Sequence, residues 1–275
     1  MQVNKYNILL SVILPVYNGE KYINAAIKSV DLEKNPQCEI IIIDDGSVDA
    51  TETIIQRWRS LKNIVYIKLK KNYGVSYARN VGVKYSNGKY ITFLDCDDVF
   101  SKKAIRYYLK YICKYDADLI ICGCLTIGKL NKKYNLKRNY WLNQEEFLKK
   151  MFFFDITKKV RYGVLWGKIY KRNLLLEKKI QFRKTGLIGE DTWFNIEYYG
   201  IIHTVLFIKN ITYIHIDQNP NSLSKQYDKQ YIRILCLTLK KYVTLFSSVG
   251  LRGINRFTLY KGIQLIWRTI IYYSR

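Results

Sequence analysis

The sequence has few of the residue types on which several common kinds of functional site depend. It contains only two histidines, His203 and His215, which excludes a metal site built from several histidines. Its six cysteines form neither a Cys-X-X-Cys pair nor a zinc-finger spacing, so we expect reduced thiols. No Gly-X-Gly-X-X-Gly, Walker or Gly-X-Ser-X-Gly motif occurs, which leaves the dinucleotide-binding, P-loop and serine-hydrolase classes unsupported.

Long apolar runs are also missing. No run approaches the roughly 18 residues that a spanning helix needs, and the opening residues 1–19 have no small-residue cleavage site of the signal-peptide kind. We therefore expect a cytoplasmic protein. Hydrophobic residues make up 49% of the 275 residues and aromatic residues 15%, which is enough to build a folded core and excludes a disordered chain.

Acidic residues are scarce, with 22 Asp and Glu against 46 Lys and Arg, so the formal net charge is +24. The imbalance is concentrated in residues 126–275, where 28 basic and 9 acidic side chains leave +19. A surface this basic attracts lipid headgroups, polyphosphates or nucleic acid. Compositional drift in a lysine-rich chain is the alternative explanation.

The acids that do occur are clustered. The stretch FLDCDDVF (Phe93–Phe100) places Asp95, Asp97 and Asp98 directly after a run of β-formers. Adjacent carboxylates repel one another unless a cation or hydrogen-bond donors hold them. Two interpretations follow: a solvated turn, since Asp is common in turns, or a divalent-metal site at the end of a buried strand.

Segments typical of strands and helices alternate along residues 8–125, which predicts an α/β fold with a mainly parallel central sheet and helices on both faces. Ligands of such sheets bind beyond the carboxyl ends of the strands. The polar clusters PVYNG, DDGS and DCDD all follow strand-like runs. Because three independent turns have no reason to share an edge, this arrangement favours a binding site over solvated turns.

The second half has fewer landmarks. Val164–Leu175 combines a buried-looking Trp166 with what we interpret as a basic helix, and 258–275 has the apolar stripe of a helix that packs on the core or lies in a membrane interface. Glu190 and Asp191 precede an aromatic-rich helix, where acids also serve as caps. We expect a catalytic domain over 1–220 and a basic helical extension over 221–275.

Five motifs together resemble those of glycosyltransferase family 2, in the order found in bacterial capsule, exopolysaccharide and lipopolysaccharide enzymes. They are SVILPVYNGEKYINAAIKSV, EIIIIDDGSVDAT, NYGVSYARNVGVKYSNGKYITFLDCDDVF, WGKIYKRNLL and IGEDTWFN. The resemblance covers roughly residues 8–225. It implies a GT-A fold, a nucleotide-diphosphate sugar as donor, a divalent metal and transfer with inversion.

The resemblance also implies residue roles. It implies a nucleotide-sugar site formed by Pro15, Val16, Tyr17, Asp45, Arg79 and Asp95. It implies Mn²⁺ or Mg²⁺ on Asp97, with His215 as a further ligand or as a buried structural histidine. Asp191 matches the catalytic base, and Glu190 and Trp166 are expected near the acceptor. Cys96 replaces the usual middle residue of the Asp-X-Asp motif, and we expect its side chain to face outward.

These observations predict a metal-dependent inverting enzyme that moves a hexosyl or N-acetylhexosaminyl group from a UDP-sugar to a surface-polysaccharide or lipid-linked acceptor, peripherally at the cytoplasmic face of an anionic membrane. One alternative is a nucleotidyltransferase on a related sheet, which would have no use for the Glu190–Asp191 pair. The other is a basic nucleic-acid-binding protein, whose phosphates the strand-end carboxylates would repel. We therefore expect no nucleic-acid partner.

Overall fold

The computed structural model describes residues 7–128, 131–154, 162–183, 189–217 and 231–248. The strands are β1 Leu10–Val16, β2 Cys38–Asp44, β3 Ile64–Lys68, β4 Tyr90–Phe93, β5 Val99–Phe100, β6 Leu119–Gly128, β7 Lys132–Tyr134, β8 Tyr140–Asn143, β9 Lys168–Lys171 and β10 Thr204–Asp217. The helices are α1 Ile23–Val30, α2 Thr51–Gln56, α3 Val75–Tyr85, α4 Ala104–Lys114, α5 Gln144–Phe154, α6 Arg172–Glu177, α7 Glu190–Tyr199 and α8 Tyr231–Ser248, with a short 3₁₀ turn at Leu32–Lys34.

The strands form one sheet in the order β3-β2-β1-β4-β9-β6-β10-β5, with β7 beside β6 and β8 beside β10. Strands β3, β2, β1 and β4 run parallel to one another, as do β6 and β10. Strand β9 lies antiparallel between β4 and β6 and so joins the two parallel blocks. Polar segments that follow β1, β2 and β4 therefore meet at one edge.

Helices cover both faces of the sheet because its central strands are apolar on both sides. All seven residues of β1 and of β2 are buried, as expected for strands covered on both faces. Helices α1 and α4 pack on one face in a cluster with Leu14 and Ile42. Helices α5, α6 and α7 pack on the other face around Phe93 and Tyr170, and α3 lies there against β1 and β2.

The α/β class with helices on both faces is confirmed, and two local predictions are corrected. Residues 168–171 form strand β9, and only Arg172–Glu177 is helical, so Val164–Leu175 is not one basic helix. Lys168 occupies a buried position in β9 and its amine donates to the carbonyl of Val164, a pairing that its charge did not suggest. The expected helix Glu20–Val30 begins at Ile23, because Gly19 and Tyr22 form a turn.

Helix α8 packs against α7 in the described part of the expected C-terminal extension. The indole Nε1 of Trp193 donates to Thr238 Oγ1 at 2.7 Å, and Lys241 Nζ donates to Glu197 Oε1 at 2.8 Å. Leu245 is buried in the cluster around α7. The predicted helix at 258–275 lies outside the described residues. Within the ranges that the structure describes, no helix is both long and apolar enough to cross a bilayer.

Candidate active site

A single guanidinium joins the acidic clusters of the two halves of the chain. Arg79, on α3, is 4% exposed; its Nη2 donates to Asp95 Oδ1 at 2.9 Å and its Nη1 to Asp191 Oδ1 at 2.8 Å. The same Nη1 lies 3.3 Å from Glu190 Oε1. The guanidinium carbon also lies 5.4 Å from the centre of the Phe182 ring. Residues far apart in sequence thus form one cluster around a buried guanidinium, which we call the acid ring: Arg79, Asp95, Glu190 and Asp191.

Burial and the charges of the acid ring together shift the pKa values of Asp191 and Arg79. Burial raises the pKa of Asp191 from 3.8 to about 7; the positive charge of Arg79 opposes the rise, whereas the negative charges of Glu190 and Asp95 add to it. Although burial alone would lower it, the pKa of Arg79 is raised by Asp191, Asp95 and Glu190, which keeps the guanidinium charged. A carboxyl with a pKa near neutrality accepts a proton readily at physiological pH.

The Glu190–Asp191 pair was open to interpretation as a helix cap. Helix α7 does begin at Glu190, and acids in a first turn are favoured by the helix dipole. The N-cap position itself is Gly189, however, which has no side chain, and the bonds of these two carboxylates that the structure describes go to Arg79. The pair therefore does more than cap α7, because it faces the strand-end acids.

Asp98 is the centre of a second network, beneath the acid ring. Its carboxylate is 1% exposed and accepts from Tyr213 OH at 2.7 Å and from the amide of Ile216 at 2.8 Å. His215 Nδ1 lies 3.0 Å from Asp98 Oδ1. Because the Asp98 side chain binds β10 at three residues, it fixes the strand-end loop against that strand.

Trp166 links the two networks. Its Nε1 donates to Asp95 Oδ2 at 3.3 Å, and its ring stacks on His215 with centroids 3.8 Å apart. The hydroxyl of Tyr213 accepts from the amide of Asp95 at 3.2 Å. Each oxygen of Asp95 thus has a partner, and Trp166 is held with one face against the imidazole.

The carboxyl ends of β1 and β2 form the other part of the edge. Asp45 is buried, and its two oxygens accept from the amides of Tyr73 and Gly74 at 2.8 Å each. Burial raises the pKa of Asp45 despite these bonds. Its own amide donates to the Val16 carbonyl, while Tyr17 is 46% exposed and Pro15 is buried. The loop after Tyr17 is held by bonds to the loop after Asp45, such as Gly19 N to Thr51 Oγ1 at 2.8 Å.

A divalent cation fits this site only if the substrate supplies part of its coordination. No group of three His, Cys, Asp or Glu side chains able to hold a metal occurs among the described residues. Asp97 offers a half-buried carboxylate on the loop that Asp98 fixes. The Nδ1 of His215 is occupied by Asp98, which leaves Nε2 as the ligand atom. Two protein ligands completed by diphosphate oxygens and water are typical of Mg²⁺ and related ions.

The structure brings most of the candidate residues together and adds others. Asp95, Arg79, Trp166, Glu190 and Asp191 are joined by direct contacts, and His215 contacts Trp166. The expectation for Cys96 is wrong: its side chain is partly buried and packs against the core cluster.

Asp98 and Tyr213 hold the site in place, although the sequence predicted a place in the nucleotide-sugar, acceptor or metal site for neither of them. Asp98 belongs to the quoted motif DCDD, and its place at the end of a buried strand was the available signal. Tyr213 carries no signal in the sequence, because a tyrosine in an isoleucine-rich strand is typical of an ordinary core position.

Comparisons with known proteins identify the family of this chain. The family model "Glycosyl transferase family 2" matches residues 11–178. An uncharacterized glycosyltransferase of Rickettsia prowazekii is 32% identical over 243 residues, which are 83% of this chain and 71% of that protein. Glycosyltransferase GlyA of Streptococcus pneumoniae is 25% identical over 88% of this chain. The chain spans 35% of the length of GlyA.

Solved structures share the fold. TarS 1–349 of S. aureus, in complex with UDP-GlcNAc, has a TM-score of 0.73 and 21% identity, covering 85% of this chain and 66% of that one. The mannosyltransferase PcManGT of Pyrobaculum calidifontis, in complex with GDP-Man and Mn²⁺, has a TM-score of 0.53 and 13% identity, covering 95% and 81%. The matched family model covers more than half of the residues, and the chain therefore belongs to glycosyl transferase family 2.

Proposed function

We propose that this protein transfers a sugar, with inversion, from a nucleotide-diphosphate donor to an acceptor hydroxyl, and that Asp191 is the catalytic base. The observation that carries the proposal is the acid ring, in which Arg79 holds Asp191 next to Asp95 of the strand-end motif. Inversion requires one displacement and one base, and no covalent nucleophile. A base beside the donor-side acids is the arrangement that such a displacement needs.

The proton chemistry assigns the acid ring a definite role. An acceptor hydroxyl is a poor nucleophile until a carboxylate removes its proton, which contributes roughly 10²–10⁴-fold to the rate. The pKa of Asp191, raised to about 7, makes it a stronger base than an ordinary aspartate. Arg79 stays charged and keeps Asp191 ionised often enough to act, since its charge opposes the rise of that pKa. Glu190 and Trp166 lie beside these groups, and we assign them to the acceptor side.

On the donor side we assign the base and ribose to Pro15, Val16, Tyr17, Asp45 and Asp95. The oxygens of Asp45 already accept backbone bonds, and each keeps a second lone pair for a nucleobase N–H. A UDP-sugar is our preferred donor. A solved structure of TarS, which shares the fold, is in complex with UDP-GlcNAc, whereas that of PcManGT is in complex with GDP-Man.

We propose that Asp97, with His215 Nε2, holds Mn²⁺ or Mg²⁺ together with the diphosphate. When bound, the cation would neutralise the charge that develops on the leaving diphosphate. The protein's part is to hold the ligands: Asp98 fixes the loop of Asp97, keeps Nδ1 of His215 occupied and so presents Nε2. The Mn²⁺ in the PcManGT complex is in keeping with this assignment.

We further propose that the acceptor is a surface polysaccharide or its lipid-linked precursor, and that the protein acts peripherally at the inner face of the cell membrane. The net charge of +24 supports attraction to anionic lipid. One of the relatives is EpsJ of Bacillus subtilis, which is described as an uncharacterized glycosyltransferase.

The decisive experiment is a panel of nucleotide-sugars incubated with the protein and Mn²⁺, with release of the free nucleotide measured with and without acceptor sugars. We expect one donor to be turned over, and Asp191→Asn to reduce transfer by about 10²-fold or more. Asp116→Asn is the matched control, because Asp116 is 63% exposed and pairs with Lys89 and Lys171 away from the site. Release of pyrophosphate in place of nucleoside diphosphate would identify a nucleotidyltransferase and end the proposal.

A further inference from the structure

One face of α4 is basic along its whole length. Five exposed cations lie on the helix or directly before it: Lys102, Lys103, Arg106, Lys110 and Lys114. The segment 102–114 contains no acidic residue. The chain average of 46 basic residues in 275 would place about two there, so drift in composition does not explain five. We call these five side chains the α4 basic face.

The spacing of the α4 basic face follows from how the helix packs. Its opposite side, with Ala104, Ile105, Tyr108 and Ile112, is buried in the core cluster. Residues 103, 106, 110 and 114 recur at intervals of three and four, which puts them on one side of an α-helix. Packing of α4 on the sheet therefore leaves every one of these charges pointing into solvent.

Among the described residues 7–128, 131–154, 162–183, 189–217 and 231–248, these five cations form no ion pair, because every ion pair there involves another basic residue. Helix α5 shows the contrast, since its Lys149 pairs with Glu145 one turn earlier. Like charges at intervals of one helical turn repel one another. Binding of an external anion at this cluster would relieve the repulsion.

An open, shallow depression lies on this side of the molecule, and among the described residues Lys103, Arg106, Tyr107 and Lys110 line it. Three of these four side chains are cations, and Tyr107 adds a ring that is apolar along its body and polar at its tip. Such rings are favoured where a bilayer meets water.

The α4 basic face begins close to Asp98, which holds the strand-end loop of the proposed active site. Lys102 follows Asp98 by four residues, a distance of at most about 14 Å along an extended chain. The segment is fixed there, because Ser101 N donates to Thr212 O at 2.9 Å and Ser101 Oγ to Ile211 O at 2.7 Å. A surface that binds this face would therefore lie near the mouth of the proposed active site.

We propose that the α4 basic face is the surface by which this protein docks on an anionic bilayer. The proposal rests on the proposed function in one respect, that a lipid-linked acceptor must reach the active site from a membrane. A bilayer needs only a flat contact with the helix. The proposed function gives a bilayer, and not a nucleic acid, a reason to lie at this face, because a lipid-linked acceptor reaches the active site from a membrane. We therefore take lipid headgroups as the occupant, and nucleic acid is the alternative that the test separates.

The test is co-sedimentation of the full chain with vesicles of neutral phosphatidylcholine and with vesicles that contain 30% phosphatidylglycerol. The variant is Arg106→Gln/Lys110→Gln/Lys114→Gln. We expect wild-type binding to anionic vesicles only, falling as salt is raised. Each basic residue near an anionic surface contributes about fivefold to binding, so the triple variant should bind roughly 10²-fold more weakly.

A matched control variant removes the same charge elsewhere: Lys62→Gln/Lys84→Gln/Lys178→Gln. All three residues are exposed. Lys62 precedes β3 at the far edge of the sheet, Lys84 lies on α3 on the other face, and Lys178 follows α6. We expect this control to lose less than about threefold in binding, because its charges do not face the bilayer.

The outcomes separate this proposal from its rivals. Equal losses in both variants would show attraction by net charge alone and would overturn the docking surface, as would equal binding to neutral vesicles. Duplex DNA or RNA binding that is lost in the α4 variant, with vesicle binding retained, would reassign the face to nucleic acid. Turnover of a soluble acceptor should be the same in both variants and wild type. If no sugar is ever transferred but the α4 variant still loses vesicle binding, the proposed function fails and the docking surface stands.

Discussion

Replacing Asp191 with asparagine removes the proposed base while keeping most of its contacts. In the wild type, Asp191 Oδ1 accepts from Arg79 Nη1 at 2.8 Å. The amide oxygen of asparagine can take the place of this atom, so Arg79 keeps the hydrogen bond. Glu190 and Asp95 continue to pair with the guanidinium. We therefore expect Asp191→Asn to fold and to bind nucleotide-sugar like the wild type.

The magnitude of the effect on rate follows from the pKa of Asp191. With a pKa of about 7, the wild-type kcat/KM should fall about tenfold for each pH unit below 7 and level off above it. In Asp191→Asn, transfer at pH 8 should fall by roughly 10²–10⁴-fold, and the acidic limb should disappear. Initial rates of nucleotide release between pH 5 and pH 9, at acceptor concentrations well below KM, measure both effects.

Stability supplies an independent check with a definite sign. The pKa of Asp191 is higher in the folded protein, at about 7, than its ordinary value of 3.8. Between these values the folded state binds more protons than the unfolded state, so ionisation of Asp191 reduces stability as the pH rises. Asparagine does not ionise, so the free energy of unfolding of the variant, relative to the wild type, should increase from pH 4 to pH 8. The increase should be at most on the order of 2–4 kcal/mol.

Thermal unfolding of both proteins at pH 4, 6 and 8 measures this difference. A gain of a few kcal/mol corresponds to roughly 5–10 °C in Tm for a domain of this size. The reasoning is refuted if the Tm difference stays constant across this range or changes in the opposite direction. The opposite sign would mean that Arg79 outweighs burial and depresses the pKa of Asp191, which would make it a poor base.

Three further predictions concern the cation, the acid ring and the fold. Asp97→Ala should abolish transfer and remove the gain in UDP affinity that Mn²⁺ confers in calorimetry; full activity in excess EDTA would end the metal assignment. Arg79→Lys should lower transfer by more than about tenfold and destabilise the protein by about 2–4 kcal/mol, because an ammonium cannot bond three carboxylates in the geometry of the guanidinium fork. Urea titration measures the loss of stability, and an unchanged midpoint would contradict the prediction. Gly88→Ala should cost about 1–3 kcal/mol, because its new methyl group would lie 2.6 Å from the backbone nitrogen of Ser11; an unaltered Tm would show that this approach is not tight.

Periodicity was sufficient to predict the first half of the fold. The apolar runs at β1 and β2 are too continuous for surface strands, and both proved buried at every residue. The alternation of strand and helix predicts a parallel sheet. In such a sheet the polar clusters that follow the strands meet at one edge. Strand β9 escaped prediction because it is four residues long, begins with a lysine and is stabilised by pairing with β4 and β6, which lie far from it in sequence.

The candidate site divides in the same way. The sequence by itself determined that carboxylates follow a buried strand, because a run such as Tyr90–Phe93 must end where the chain turns back to solvent. Only the tertiary structure decided what those carboxylates contact. Arg79 meets Asp191 across 112 residues, and Asp98 meets His215 across 117. Such pairings depend on how α3, α7 and β10 pack around the sheet, and no local pattern encodes that packing. The raised pKa of Asp191 depends on it as well, since burial and the neighbouring charges exist only in the folded chain.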